Sequence, residues 1–388
     1  METVLNYLRD AHPSVVVDVM GGGDPQRVHA EYGVDATPLY WYQKYDQRKR
    51  GIQAGILKAM GKGIDIGRTI SWVRRHDAVI VPGAGALEST LPTRPWGFPF
   101  ALFVLCLSGR LCHTKVALVS VGAEIINNRA TRLLSDATAR LAFYRSYRDV
   151  NSKEAMQRRG IDVSRDPVYP DLVFGVPAPP YEPGDPQLVG LGVMDYYGGN
   201  DDRHRADEVR SSYIEKMTRF TGWLVDHGYR VRLFGGDSKF DWEVADQIIA
   251  DVRAARPGLA PSVMSADRVA SYAELMQLLS PVGIVVATRY HNVMCALKLC
   301  KPTISLGYSP KFVSLMGDMG LADFNQFADS FDVDKLTEQF NEIEKRHAEL
   351  QQQMADRNAA NVRSLAGQFA LLSDALLPGA PDRAQVPL

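Results

Sequence analysis

GIVVATRYHNVMCALKLCKPTISLGYSPK, residues 283–311, decides the fold class of this chain. A short apolar run at 283–287 (GIVVA) leads through Thr288-Arg289-Tyr290-His291 into a helix over 290–300. A second β-rich run follows at 303–306 (TISL), and then a loop ending in Tyr308-Ser309-Pro310-Lys311. β-branched runs of this length, alternating with helical periodicity, mark strands of a parallel sheet with covering helices. Open sheets of that kind bind ligands beyond the carboxyl ends of their strands. Arg289, His291 and Lys311 are therefore delivered to the binding edge. Helix N-termini at the same edge carry unpaired N–H groups and the positive end of the helix dipole, so an anion is the expected guest.

The same alternation extends in both directions. Strand patterns fall at 15–20, 77–81, 116–121 and 143–148 in the first half, with helical patterns at 2–11, 64–76, 98–110, 128–142 and 151–159. In the second half strands at 188–193, 229–234, 283–287 and 303–306 alternate with helices at 207–227, 241–255, 269–280 and 290–300. Between the halves, FGVPAPPYEPGDPQ (174–187) holds five prolines, which makes it a stiff linker lacking donors. The expected fold is α/β, with two Rossmann-like domains facing across a cleft in a GT-B-like arrangement. Residues 1–175 form the N-terminal domain and 186–330 the C-terminal one. A helical segment at 331–376 packs back, and 377–388 is a disordered tail. The chain opens on a helix where a Rossmann-like half opens with a strand, so the first strand of the N-terminal domain is expected to be missing.

The chain's 388 residues exceed one ordinary core. With 46% hydrophobic and 23% charged residues it reads as an ordinary globular enzyme. A formal net charge of −1 supplies no field for nucleic acid, and no such partner is expected. Cys106, Cys112, Cys295 and Cys300 form no C-x-x-C pair and read as reduced thiols. No signal peptide is visible, and the longest apolar run, Phe98 to Leu107, is far short of a bilayer span. A soluble cytoplasmic protein is expected.

Several constellations carry chemistry, and each has a plainer alternative. Arg289 can grip a carboxylate or phosphate in bidentate fashion, with His291 as a general acid or base; the pair can equally be a helix start with a surface ion pair. Ser146-Tyr147-Arg148-Asp149-Val150-Asn151-Ser152 places Arg148, Asp149 and Ser152 at another carboxyl edge, although Asn151 followed by Glu154 also resembles a capping box. Gly83 and Gly85, Gly122 and Gly235 each follow a strand, where glycine permits close approach to a ligand or simply makes a turn. None fits a dinucleotide or Walker pattern. The loop from Asp195 to Asp207 holds Asp201, Asp202 and His204, which a solvated loop explains better than a metal site. No zinc or hydrolase motif occurs, and no metal is expected.

Together these segments resemble the polysaccharide pyruvyl transferase family. The resemblance rests on an R-x-H motif opening a helix (Arg289-Tyr290-His291), a K-P-x-I strand (Lys301-Pro302-Thr303-Ile304) and a Y-x-x-K loop (Tyr308-Ser309-Pro310-Lys311). It includes R-D-x-x-S at Arg148–Ser152 before a helix ending in Arg158-Arg159-Gly160, and P-D-x-x-F at Pro170–Phe174. Order and spacing match over roughly 75–325. The family's opening strand with its G-N-x-G-D-type loop is absent, and its early G-G-G turn reads here as Pro82-Gly83-Ala84-Gly85-Ala86.

The resemblance implies transfer of pyruvate from phosphoenolpyruvate to a sugar of a polysaccharide or glycolipid, forming a cyclic ketal and releasing phosphate. It implies no cofactor beyond phosphoenolpyruvate as donor substrate. His291 and Arg289 would be catalytic. Arg148, Asp149, Ser152, Lys311, Ser309, Gly83, Gly85, Gly122 and Gly235 would bind substrate, with the acceptor on the N-terminal domain and the donor on the C-terminal one. Asp149 or Asp171 would orient a base. A lipid-linked acceptor would bring the protein to the inner face of the membrane. The competing expectations are a GT-B glycosyltransferase using a nucleotide sugar and a non-catalytic glycan-binding relative.

Overall fold

The computed structural model describes residues 1–41, 52–83, 85–88, 95–199, 204–236, 239–269 and 271–377. Asp201 and Asp202, and the tail from residue 378 onward, lie outside them. The chain forms two compact units. The first is Met1–Val176 together with the chain from Arg363; the second is Pro177–Val362.

The first unit runs α1 (Glu2–Ala11), β1 (Asp18–Gly21), α2 (Pro25–Tyr32), β2 (Asp35–Pro38), α3 (Ile52–Val73), β3 (Ala78–Pro82), α4 (Phe98–Cys112), β4 (Lys115–Val121), α5 (Arg129–Leu141), β5 (Tyr144–Tyr147) and α6 (Val150–Arg158). Strands β3, β4 and β5 form one parallel sheet, while β1 and β2 form a separate two-stranded one. The apolar run KVALVSV becomes β4, buried along nearly its whole length because helices cover both faces of a parallel sheet. Sequence pattern misses β2, whose DATP carries little β propensity, and α2 before it.

The second unit contains β6 (Asp185–Gly192), α7 (Ala206–Asp226), β7 (Arg230–Phe234), α8 (Lys239–Ala255), β8 (Met264–Asp267), α9 (Tyr272–Leu279), β9 (Val282–Ala287), α10 (Tyr290–Lys298), β10 (Thr303–Gly307), α11 (Pro310–Asp318), β11 (Asn325–Phe327), α12 (Val333–Lys345) and α13 (His347–Leu376). Its sheet is parallel in the order β11-β10-β9-β6-β7-β8. Counted from β6 as strand 1, that is the Rossmann order 3-2-1-4-5-6, which reverses between β6 and β9. The short edge strands β8 (MSAD) and β11 (NQF) escape a pattern reading because the ladder of a neighbour, not their own composition, makes them strands. Strand β6 begins inside the proline-rich linker, where a proline near the start of a strand is tolerated.

Helix α13 begins in the second unit and ends in the first. Its last turns bury Phe369, Leu372 and Leu376 in the first unit. The fully buried Gln368 donates to Ser146 Oγ at 2.7 Å and accepts from Ser120 Oγ at 3.0 Å. That clasp ties the helix to β5 and to the left-handed residue Ser120 of β4.

The four cysteines are free thiols. Burial pushes Cys106 and Cys295 up to about 12, which makes them poor nucleophiles. Burial also lowers the Lys298 ammonium, at the end of α10, to about 8. A lysine lowered in the folded state destabilises the fold wherever both states are protonated, and the penalty lifts as pH rises from about 8 to the unfolded value of 10.5. Lys298→Met should therefore raise the urea midpoint at pH 7, by the equivalent of roughly 1–3 kcal/mol. The advantage should shrink steadily above pH 8. An advantage that grew with pH would contradict this reading.

Candidate functional site

The carboxyl edge of the second unit's sheet is organised around a carboxylate that sequence reading missed. Asp241, in the first turn of α8, is 0% exposed. Its oxygens accept from Arg289 Nε at 2.9 Å and from a terminal Arg289 nitrogen at 2.7 Å. They also accept from the backbone N–H of Asp195, beyond β6, at 2.9 Å and of Gly236, beyond β7, at 2.9 Å. One buried side chain thus joins the loops that follow β6, β7 and β9. Gly235 makes this possible, because a Cβ there would stand 2.5 Å from that of Asp241. At this turn, expected to admit a ligand, the glycine makes room for the start of α8.

Arg289 is the residue at the N-cap of α10, and its side chain is 31% exposed. The bidentate edge of its guanidinium is committed to Asp241, which fixes the direction of the side chain. Buried Tyr213 supports the same loops: its hydroxyl lies 2.8 Å from Thr288 Oγ1 and accepts from the Met194 N–H at 3.3 Å. Burial raises the Tyr213 phenol, which stays neutral.

His291 is exposed in the first turn of α10, with its ring edge-on to Tyr272 at 5.2 Å and to Tyr290 at 6.2 Å. On the next strand, Pro310 and Lys311 open α11, where the sequence expected a loop. The Lys311 ammonium sits over the rings of Tyr290 at 5.0 Å and Tyr308 at 5.7 Å, so it is held beside α10. Ser309 is the N-cap residue of α11, but its buried hydroxyl has no hydrogen-bond partner among the described residues. Neither α10 nor α11 carries a side-chain cap, whereas α6, α9 and α12 are capped by Asp149, Ser271 and Asp332. Arg289, His291, Ser309 and Lys311 are thereby brought to two uncapped helix starts beyond adjacent strands, β9 and β10. The positive ends of both helix dipoles lie at this edge.

The first unit's carboxyl edge has a different character. Arg148, just beyond β5, is buried among three carboxylates: Glu88 in direct contact, Asp149 at 3.5 Å and Asp171 at 3.5 Å. Its charge is more than compensated within the protein, at a position expected to bind substrate. Asp149 caps α6 by accepting from the Ser152 N–H at 2.6 Å, so Asn151 is not the cap. The Ser152 hydroxyl accepts from the Ala123 N–H at 3.1 Å. Asp171 caps a short 3-10 turn by accepting from Val173 at 3.1 Å.

Gly122 and Gly85 leave space for this cluster. A Cβ on Gly122 would collide with Glu88 and Arg148, and one on Gly85 would come within 2.6 Å of Glu88. Gly83 adopts φ +58, which answers to backbone geometry. Among the described residues, no group of three histidine, cysteine or acidic side chains is placed to hold a metal ion.

The family model for polysaccharide pyruvyl transferases matches residues 1–310. No curated protein matches by sequence. Solved structures show the fold at low identity. The UDP-GlcNAc 2-epimerase from Neisseria meningitidis bound to UDP-GlcNAc superposes with a TM-score of 0.61 at 10% identity, covering 96% of this chain and 94% of that one. MnaA of S. aureus with UDP gives 0.57 at 10% identity, covering 99% and 96%. The UDP-GlcNAc 2-epimerase from Methanocaldococcus jannaschii gives 0.51 at 12% identity, covering 84% and 92%. The shared fold is GT-B-like.

Removing the cation from the first unit's cluster should be costly. Arg148→Met leaves three carboxylates packed together without compensation, and we expect a loss of about 3–5 kcal/mol in urea unfolding. Glu88→Gln should cost much less. Equal small losses for both variants would show that the cluster is not held by the guanidinium.

Proposed function

This chain belongs to the polysaccharide pyruvyl transferase family, and we propose that it transfers the pyruvyl group of phosphoenolpyruvate to two hydroxyls of a glycan or glycolipid sugar, forming a cyclic ketal and releasing phosphate. The observation that carries this reading is Arg289, fixed by buried Asp241 beside His291 and Lys311 at two uncapped helix starts. Phosphoenolpyruvate presents a carboxylate and a phosphate on a three-carbon frame. Two helix N-termini, a guanidinium and an ammonium form a complementary set of donors.

In this mechanism His291 delivers a proton to the methylene carbon, and the central carbon becomes electrophilic. The first sugar hydroxyl adds there, forming a C–O bond and losing its proton. The second hydroxyl then displaces phosphate by breaking the bond from the central carbon to the phosphate ester oxygen, which closes the ring. One hydroxyl proton returns to the imidazole, which has given up its own, and the other leaves on the departing phosphate. Arg289 and Lys311 compensate the charge that accumulates on the departing phosphate. No cofactor enters this scheme. The first unit's carboxylates, Glu88, Asp149 and Asp171, suit neutral sugar hydroxyls better than an anion.

A second reading has one observation in its favour: the Neisseria and S. aureus structures of the same fold carry UDP-GlcNAc or UDP. On that reading the donor is a nucleotide sugar. Calorimetric titration separates the two, since UDP binding without phosphoenolpyruvate binding would favour the nucleotide sugar.

The experiment is phosphate release from phosphoenolpyruvate against a panel of acceptor glycosides. His291→Ala should lower turnover roughly 10²–10⁴-fold with an intact circular dichroism spectrum. Arg289→Lys keeps charge but loses the planar fork that Asp241 grips, so the donor KM should rise about tenfold or more. Undiminished turnover in His291→Ala, or an unchanged donor KM in Arg289→Lys, would remove that residue from the mechanism.

A further inference from the structure

Helix α3 of the first unit is oriented against the usual rule. Its buried side carries Asp65, Thr69, Trp72 and Val73. Its outward side carries Met60, Ile64 and Ile70, exposed by 59%, 37% and 37%, with Gly63, Gly67 and Ser71 between them. At 100° per residue these positions share one face, and Arg74 and Arg75 are exposed in the turn that follows the helix's last residue, Val73. The face contains no acidic residue, since Asp65, the one carboxylate of the helix, points inward to the Trp41 N–H at 2.7 Å. Arg74 and Arg75 pair with no carboxylate among the described residues.

The same face borders a groove of about 390 Å³ lined by Ile64, Arg68, Ser71, Trp72 and Arg75 among others, none of them acidic. Trp72 is more than nine-tenths buried, and its indole N–H has no hydrogen-bond partner among the described residues. Arg68 donates to the Pro38 carbonyl at 2.9 Å and lies 3.5 Å from Asp65, so part of its fork is used internally. What the groove offers is donors beside apolar side chains.

We propose that the outward face of α3 docks on an anionic phospholipid surface, with Met60, Ile64 and Ile70 entering the acyl boundary and Arg68, Ser71 and Arg75 meeting a headgroup phosphate. The helix lies on such a surface and does not cross it; among the described residues no helix is long and apolar enough to span a membrane. An interfacial helix combines an apolar face with flanking cations, and α3 has both. Charge complementarity selects the partner, because a neutral bilayer leaves Arg74 and Arg75 uncompensated while an acidic one satisfies them. The inference is independent of the transfer chemistry.

The test is flotation of the intact protein with vesicles of equal parts phosphatidylglycerol and phosphatidylcholine, against phosphatidylcholine alone. Binding should be confined to the acidic vesicles and weaken with salt. Each cation near such a surface is worth about fivefold, so R74Q/R75Q should lower partitioning roughly thirtyfold. M60S/I64S should also lower it, by tenfold or more, with the circular dichroism spectrum unchanged. Equal binding to both vesicle types, or no binding to either, would overturn the proposal. Loss in R74Q/R75Q with none in M60S/I64S would overturn it too, because it would indicate a soluble polyanion and not a bilayer.

Discussion

The four hydrogen bonds received by the buried Asp241 carboxylate are the constraint on which the second unit's binding edge depends. A carboxylate removed from water is tolerable only when its lone pairs are satisfied, and here they are satisfied by donors from three separate loops. The arrangement works in the other direction as well. Because Asp241 cannot turn away without losing all four bonds, Arg289 is fixed in direction and the loops beyond β6, β7 and β9 are fixed relative to one another. The sheet order reverses between β6 and β9, so the site this carboxylate braces is the switch point of a Rossmann sheet.

The two units use charge in opposite ways at their carboxyl edges. In the second, cationic side chains gather at two helix starts without side-chain caps. In the first, one guanidinium is surrounded by three carboxylates, and the helix there is capped by one of them. An anionic donor and a neutral polyol acceptor would ask for that difference. The glycines at these edges serve the protein first: Gly122 and Gly85 admit the Glu88–Arg148 pair, and Gly235 admits Asp241.

Much of this was legible in the sequence. The apolar runs that become β4 and β9 announce themselves because strands buried on both faces must be apolar throughout. Strand-to-helix periodicity alone puts Arg289, His291 and Lys311 beyond strand ends, and they follow β9 and β10. Asp241 was not legible, because an acidic residue in the first turn of a helix usually faces water and nothing local reports its burial. The surroundings of Arg148 escaped for the same reason: Glu88 and Asp171 lie 60 and 23 residues away. The outward face of α3 could not be read either, since an exposed isoleucine and a buried one look alike until the helix is packed.

The claim that Asp241 orients Arg289 for an anionic donor is tested most directly by calorimetric titration of phosphoenolpyruvate into the unaltered protein and into Asp241→Asn. The amide nitrogen of the variant confronts donors on Arg289 or Gly236 that the carboxylate accepted. The donor should therefore bind at least about tenfold more weakly to folded Asp241→Asn, the loss of a charge-assisted fork. Equal affinity in both proteins, with the variant still folded, would contradict the account.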